Sequence, residues 1–314
     1  MTMHDSPGTD RVRTPSEGVF FADGLVTLYC GSADQVLAGI PAGSVDCIVT
    51  SPPYYGLRDY QIEGQTGIEP TPAGYIEALA VVFAQARRVL ADHGTLWLVL
   101  GDSYSTKKRG SDNGWESSRL SNPARVQKMQ SAAMRQGRVV CFDRKAKNLL
   151  GMPWRVAFAL QDQGWILRNE IVWAKSNPMP ESVTDRLSCS HEKVFLFSKA
   201  NRYHFNKSAV GRNPGDVWVI PTVPFAGAHF AVFPPELPRR AIAAGCRPGG
   251  VVLDMFSGSG TTGLAAAELG HRYVGVDLNP AYLELSLRTR LEQPSLTAQA
   301  NAAILNEYDN KKGA

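Results

Sequence analysis

The chain has 314 residues, 44% of them hydrophobic and 20% charged, a balance that suits a globular protein and excludes fibrous and wholly disordered classes. No run approaches the roughly eighteen apolar residues that span a bilayer, and the polar opening Met1-Thr2-Met3-His4-Asp5 lacks a signal-peptide layout, so a cytoplasmic protein without membrane contact is expected. The net charge is only +4, and the five cysteines (Cys30, Cys47, Cys141, Cys189, Cys246) form no C-x-x-C pair, which argues against a disulfide framework or a zinc site.

Residues 1–18, rich in Pro, Ser, Thr and Gly, read as a flexible lead-in. Residues 26–29 predict a short strand, 34–37 the start of a brief helix, and 45–49 a buried strand. That strand must turn at Ser51-Pro52-Pro53, because proline cannot continue a central strand, and the carboxyl end of a strand is where open α/β sheets bind ligands. Ile76, Leu79, Ala80, Phe83, Ala86, Val89 and Leu90 keep a helical period over 75–90, and Ala91-Asp92-His93-Gly94 ends it before a strand at 95–100. Residues 103–148 break this β-α-β rhythm. They are polar, and between 107 and 147 eleven Lys and Arg stand against three acids, an excess that suits either phosphates or a solvated loop. A helix at 153–163 and strands at 167–173 and 193–198 follow, then a loop-like stretch over 201–228 and a helix at 235–244. The chain closes with a strand at 251–255, a helix at 262–269, a strand at 273–276 and a helix at 282–290.

Gly258, Gly260 and Gly263 satisfy G-x-G-x-x-G between a buried strand and a helix, and Asp277 ends the next strand nineteen positions after Gly258. Glycines let the backbone approach a ligand, the helix start offers free N–H groups, and a carboxylate accepts from ribose hydroxyls. An NAD site fits this segment as well as an S-adenosylmethionine site does, and a bare tight turn is the plain alternative. Phe256 and Asp254 tilt the balance to adenosylmethionine, since an acid at the end of a buried strand needs a partner and the ammonium supplies one.

The chemistry expected at Ser51-Pro52-Pro53-Tyr54 is methylation of an aromatic amine, which is difficult because the nitrogen lone pair is delocalised into the ring. The Ser51 hydroxyl and Pro52 carbonyl offer acceptors for the amine hydrogens, Pro53 stiffens the turn, and Tyr54 gives a π-face to an extruded base. The rest is alignment with the sulfonium methyl. Pro-Pro-Tyr also occurs in plain loops, and its place after an apolar strand in a chain with a glycine loop is what gives it weight.

With Ser44-Val45-Asp46-Cys47-Ile48-Val49-Thr50-Ser51-Pro52-Pro53-Tyr54, Gly94-Thr95-Leu96-Trp97-Leu98-Val99-Leu100-Gly101-Asp102-Ser103, Leu167-Arg168-Asn169-Glu170-Ile171-Val172-Trp173-Ala174-Lys175, Ser190-His191-Glu192, Phe233-Pro234-Pro235-Glu236-Leu237 and Asp254-Met255-Phe256-Ser257-Gly258-Ser259-Gly260-Thr261-Thr262, the chain resembles the DNA amino-methyltransferases whose catalytic motif precedes the cofactor motif. The likeness spans about 25–290 apart from 103–148. It implies an α/β, Rossmann-like S-adenosylmethionine-dependent methyltransferase fold: a mostly parallel seven-stranded sheet with one reversed strand, circularly permuted, with inserted DNA-recognition segments. It implies catalytic roles for Ser51, Pro52, Pro53 and Tyr54. Cofactor contacts are expected at Asp254, Phe256, Ser257, Gly258, Gly260, Thr261, Thr262 and Asp277, with His229 and Phe233 closing over the methionine end. Ser32 departs from the pattern, standing where many relatives carry an acid.

The expected organisation is a flexible segment 1–18, a catalytic domain 19–292 whose 103–148 insertion and 176–228 region meet DNA, and a tail 293–314. Arg58, Lys107, Lys108, Arg109 and Lys145 are the candidate DNA contacts, with an Arg58–Asp59 ion pair as the plain reading of the first. Trp173 and Lys175 are candidates to touch substrate, with core packing as the plain reading of Trp173, and His191-Glu192 either supports a loop near the base or caps a strand turn. No cysteine follows a proline, which argues against C5 methylation, and no zinc-deaminase ligand pattern or other metal site is present. Serine before Pro-Pro-Tyr goes in this family with N4 of cytosine and aspartate with N6 of adenine, so cytosine is slightly favoured. Expected partners are double-stranded DNA, a companion restriction endonuclease and a second copy in a homodimer, in a prokaryotic or phage-encoded setting. RNA or protein-amide methylation, and a DNA-binding regulator with secondary activity, are the alternatives.

Overall fold

The computed structural model describes residues 18–105, 145–223 and 232–292. Among them nine strands form one sheet: β1 (Val19–Ala22), β2 (Val26–Cys30), β3 (Val45–Thr50), β4 (Leu90–Leu100), β5 (Ile166–Ala174), β6 (His191–Ser198), β7 (Val217–Val219), β8 (Val251–Asp254) and β9 (Arg272–Asp277). Their order across the sheet is β1-β2-β9-β8-β3-β4-β6-β5-β7. The seven strands from β2 to β5 in that order carry one reversed member, β6, antiparallel to both neighbours. This is the expected sheet, extended at each edge by a short strand that the sequence pattern does not predict. β1 pairs antiparallel with β2, and β7 pairs parallel with β5. Neither is long enough to establish a period of two: β7 has three residues, of which Trp218 alone is buried.

Among the described residues six helices cover the sheet: α1 (Ala33–Gly39), α2 (Pro72–Val89), α3 (Met152–Asp162), α4 (Glu236–Gly245), α5 (Thr261–Glu268) and α6 (Pro280–Ser286), the last continuing into a π turn at Leu287–Leu291. The helical period of α2 buries Leu79, Phe83 and Ala86 with Leu37 of α1 and Leu160 of α3 on one face. Leu237 and Ile242 of α4, Ala265 of α5 and Leu283 of α6 fill the other face. The Thr71 hydroxyl caps α2 by accepting the Gly74 N–H at 3.1 Å, with Pro72 in the first turn. Where the sequence predicts a break at 91–94, β4 already starts at Leu90, which pairs with Val45 before an irregularity restores register at Cys47 and Thr95. No helix among the described residues is long and apolar enough to cross a membrane.

Topology places the site. The unit β8-α5-β9 winds toward one edge and β3-α2-β4 toward the other, while β8 and β3 lie side by side, with Cys47 opposite Val252 and Ile48 opposite Leu253. Their carboxyl ends therefore flank the crevice where the direction of winding reverses.

Candidate active site

One carboxylate joins the two strand ends. Asp254 is 2% exposed; its Oδ1 accepts the Thr50 hydroxyl at 2.6 Å and the Phe256 N–H at 3.1 Å, and its Oδ2 accepts the Thr262 hydroxyl at 2.7 Å. The partner that this acid requires is thus supplied from within the chain rather than by an ammonium. Burial still prevails over these donors and pushes its pKa up to about 6.

The glycine loop follows. Gly258 and Gly260 have φ of 51° and 74°, in the left-handed region, and a Cβ on Gly260 would come within 2.8 Å of the Ser286 Cβ. The Gly258 N–H donates to Asp277 Oδ2 at 2.7 Å, and the Asn279 N–H to Oδ1 at 2.9 Å. Burial raises Asp277 to about 6 as well.

The Ser51-Pro52-Pro53-Tyr54 loop is braced from three sides. The Pro53 carbonyl accepts the hydroxyl of buried Tyr75, from α2, at 2.9 Å. The Tyr54 ring lies over Gly101, where a Cβ would approach the ring Cε2 to 2.5 Å. The Tyr54 hydroxyl donates to Glu192 Oε2, and Glu192 Oε1 accepts from Lys175 Nζ at 2.6 Å. The Ser51 hydroxyl donates to Tyr54 Oη at 3.4 Å, a long bond. Burial first, then the charge of Glu192, pushes the Tyr54 hydroxyl well above its ordinary pKa. Lys175 Nζ also stands 5.0 Å from the centre of the Trp173 ring, and Trp173 is core as expected, buried with its Nε1–H donating to the Ile220 carbonyl at 2.9 Å.

These parts line a single cleft. Of the residues singled out in the sequence, Ser32, Ser51, Pro52, Pro53, Tyr54, Phe233, Asp254, Phe256, Ser257, Gly258, Thr261 and Asp277 face it. Gly260 and Thr262 stand behind: Gly260 forms the turn into α5, and Thr262 ties α5 to β8 through Asp254 and to β3 through the Val49 carbonyl at 3.3 Å. His229, Lys107, Lys108 and Arg109 lie outside the described residues, and Lys145 is exposed. An Arg58–Asp59 ion pair, the alternative to a DNA contact, does not form. Asp59 Oδ1 instead accepts the Gln61 N–H at 2.8 Å, and Arg58 Nη1 is shut from solvent with no hydrogen-bond partner, close enough to Tyr60 to oppose the rise that burial imposes on that hydroxyl. Ser32, found in place of an acid, donates its hydroxyl to the carboxylate of Asp34.

Two further residues of the cleft, Tyr60 and Tyr282, meet edge-on at 6.2 Å with an interplanar angle of 81°. Tyr282 carries a usable signal in the sequence, five residues past Asp277 behind an Asn279-Pro280 cap. Tyr60 sits in an aperiodic loop and carries none.

Comparison with known proteins gives consistent matches. A family described as DNA methylase matches residues 45–288. The Type II methyltransferase M.XycI of Xanthomonas campestris pv. cyanopsidis is 45% identical over 288 residues, covering 89% of this chain and 91% of the relative. Among solved structures, a putative DNA modification methylase of Thermus thermophilus, complexed with S-adenosyl-L-methionine, is 26% identical with a TM-score of 0.56, covering 83% of this chain and 91% of that one. PvuII DNA methyltransferase (cytosine-N4-specific) shares the fold with a TM-score of 0.63 at 19% identity, over 84% and 85% of the two chains.

Proposed function

The chain belongs to the DNA methylase family and is a Type II DNA methyltransferase of the amino-methylating group, and from that premise we propose that it methylates the exocyclic amine of a base flipped out of duplex DNA, at N4 of cytosine, with S-adenosylmethionine as donor. The observation that carries this reading is that the catalytic loop and the glycine loop open into one cleft and share one buried carboxylate, Asp254.

The residues fit an adenosylmethionine. The left-handed Gly258 brings the backbone close, and Phe256, Tyr60 and Tyr282 offer aromatic walls. Asp277 already accepts two N–H groups, and an ionised carboxylate has about four lone-pair positions, so ribose hydroxyls find acceptors there. Bound in this cleft, the cofactor supplies an electrophilic methyl on a sulfonium. Tyr54 stacks on the flipped base, the Ser51 hydroxyl oxygen and the Pro52 carbonyl accept its amine hydrogens, and the loop holds the nitrogen in line with the methyl. No protein nucleophile is required; the proton leaves to water. Serine before Pro-Pro-Tyr supports cytosine over adenine.

The Type II relatives support a companion endonuclease, and the 103–148 and 176–228 segments are the parts proposed to meet DNA, with Lys107, Lys108, Arg109 and Lys145 in the first of them and Arg58 a further candidate outside both. Incubating the purified protein with unmethylated DNA and methyl-labelled adenosylmethionine, then analysing the nucleosides by mass spectrometry, tests the proposal. N4-methylcytosine is expected. N6-methyladenine keeps the mechanism and overturns the base, and absence of label in either overturns the reading.

A further inference from the structure

Tyr54 is held by a chain of groups that extends beyond the catalytic loop onto strands β5 and β6. Glu192 lies at the start of β6, opposite Trp173 of β5, and Lys175 follows the end of β5, its N–H donating to the Ser190 carbonyl at 2.9 Å. The side chains of Lys175 and Glu192 are 22% and 16% exposed, a pair withdrawn from water at the edge of the cleft. Each link has a fixed polarity. An ammonium can only donate and a carboxylate can only accept, so Glu192, supplied by Lys175 on one oxygen, must take the Tyr54 proton on the other. With its one proton committed, Tyr54 Oη can only accept from Ser51, which commits the Ser51 proton in turn. What remains on Ser51 is lone pairs, the form in which it can receive an amine hydrogen.

We propose that Glu192, anchored by Lys175, is a positioning residue for methyl transfer: it orients Tyr54 and sets the hydrogen-bond polarity that makes Ser51 an acceptor toward the target amine. This rests on the function proposed above. The sequence marks Glu192 only through the His191-Glu192 pair, readable as a loop support near the base or a strand-turn cap, and its link to Tyr54, 138 positions away, comes from the fold.

The test is single-turnover methyl transfer by wild type, Glu192→Gln, Tyr54→Phe and the double variant, with cofactor and DNA affinities measured separately. Gln keeps the size of Glu but presents an amide that can donate as well as accept, so the polarity is no longer enforced. Glu192→Gln is expected to slow the chemical step about ten- to a hundredfold, with both affinities within about twofold of wild type. The double variant should be no slower than the slower single, because the two residues act as one unit. Lys175→Met, which leaves Glu192 and Tyr54 in place, should slow the same step to a lesser degree. A Glu192→Gln rate equal to wild type, or losses that multiply in the double variant, overturns the proposal. Failure of the wild type itself to methylate DNA overturns the underlying function with it, so the two failures are told apart in one experiment.

Discussion

Asp254 and Asp277 are both held near pKa 6 by burial although each accepts two or more hydrogen bonds. For an acid whose pKa is higher folded than unfolded, the folded state holds the proton more tightly. The stability this contributes is fully present below the ordinary value of about 3.8 and is lost as pH rises through about 6. Asp277→Asn removes that loss. The melting temperature of the variant relative to wild type, both without cofactor, should therefore rise between about pH 4 and pH 6 and level off above about pH 7, and a difference independent of pH would count against it. The same substitution should weaken cofactor binding by about tenfold or more in calorimetric titration, the scale of a hydrogen bond to a charged group. Gly101 makes a different prediction, because any side chain there collides with the Tyr54 ring. Gly101→Ala should leave the protein folded by circular dichroism and lower the methylation rate about a hundredfold, the cost of a misplaced reacting group.

Elements with a clear period were legible: the strand ending at the prolines, the long helix α2 and the strand–glycine–helix unit at 251–269 all follow from apolar spacing and turn residues. Edge strands β1 and β7 were not, since four and three residues cannot display alternation against polar surroundings. The candidate site divides along the same line. Ser51, Tyr54, Gly258 and Asp277 sit at element ends that the sequence marks, whereas Glu192 and Tyr60 matter through contacts with residues that no local pattern brings near. Between these extremes lies Thr262, expected as a cofactor contact and found instead as the tie among α5, β8 and β3. Thr262→Val keeps the shape and leaves one oxygen of a buried carboxylate without a donor. It should lower unfolding stability by about 1–3 kcal/mol in urea titration, where an exposed Thr→Val change would leave the midpoint unmoved.

For the whole molecule, the parallel pairing of β2 with β9 closes one side of the cleft with segments from opposite ends of the described chain, and Asp254 closes the middle. The modest net charge of +4 hides the concentration of basic residues between 107 and 147. DNA affinity should accordingly fall steeply with salt, by about a thousandfold or more between 50 and 200 mM if six phosphates are neutralised, and a flat dependence in a binding titration would remove that segment from the interface. The carboxylate shared by the strand that carries Ser51 and the strand that carries the glycine loop has a thermodynamic corollary. If the methyl donor and the target base both bear on that group, their binding is coupled and the coupling is reciprocal: however much the one tightens or loosens the grip on the other, the other returns the same factor. Once the methyl has moved, both sides of that coupling change together.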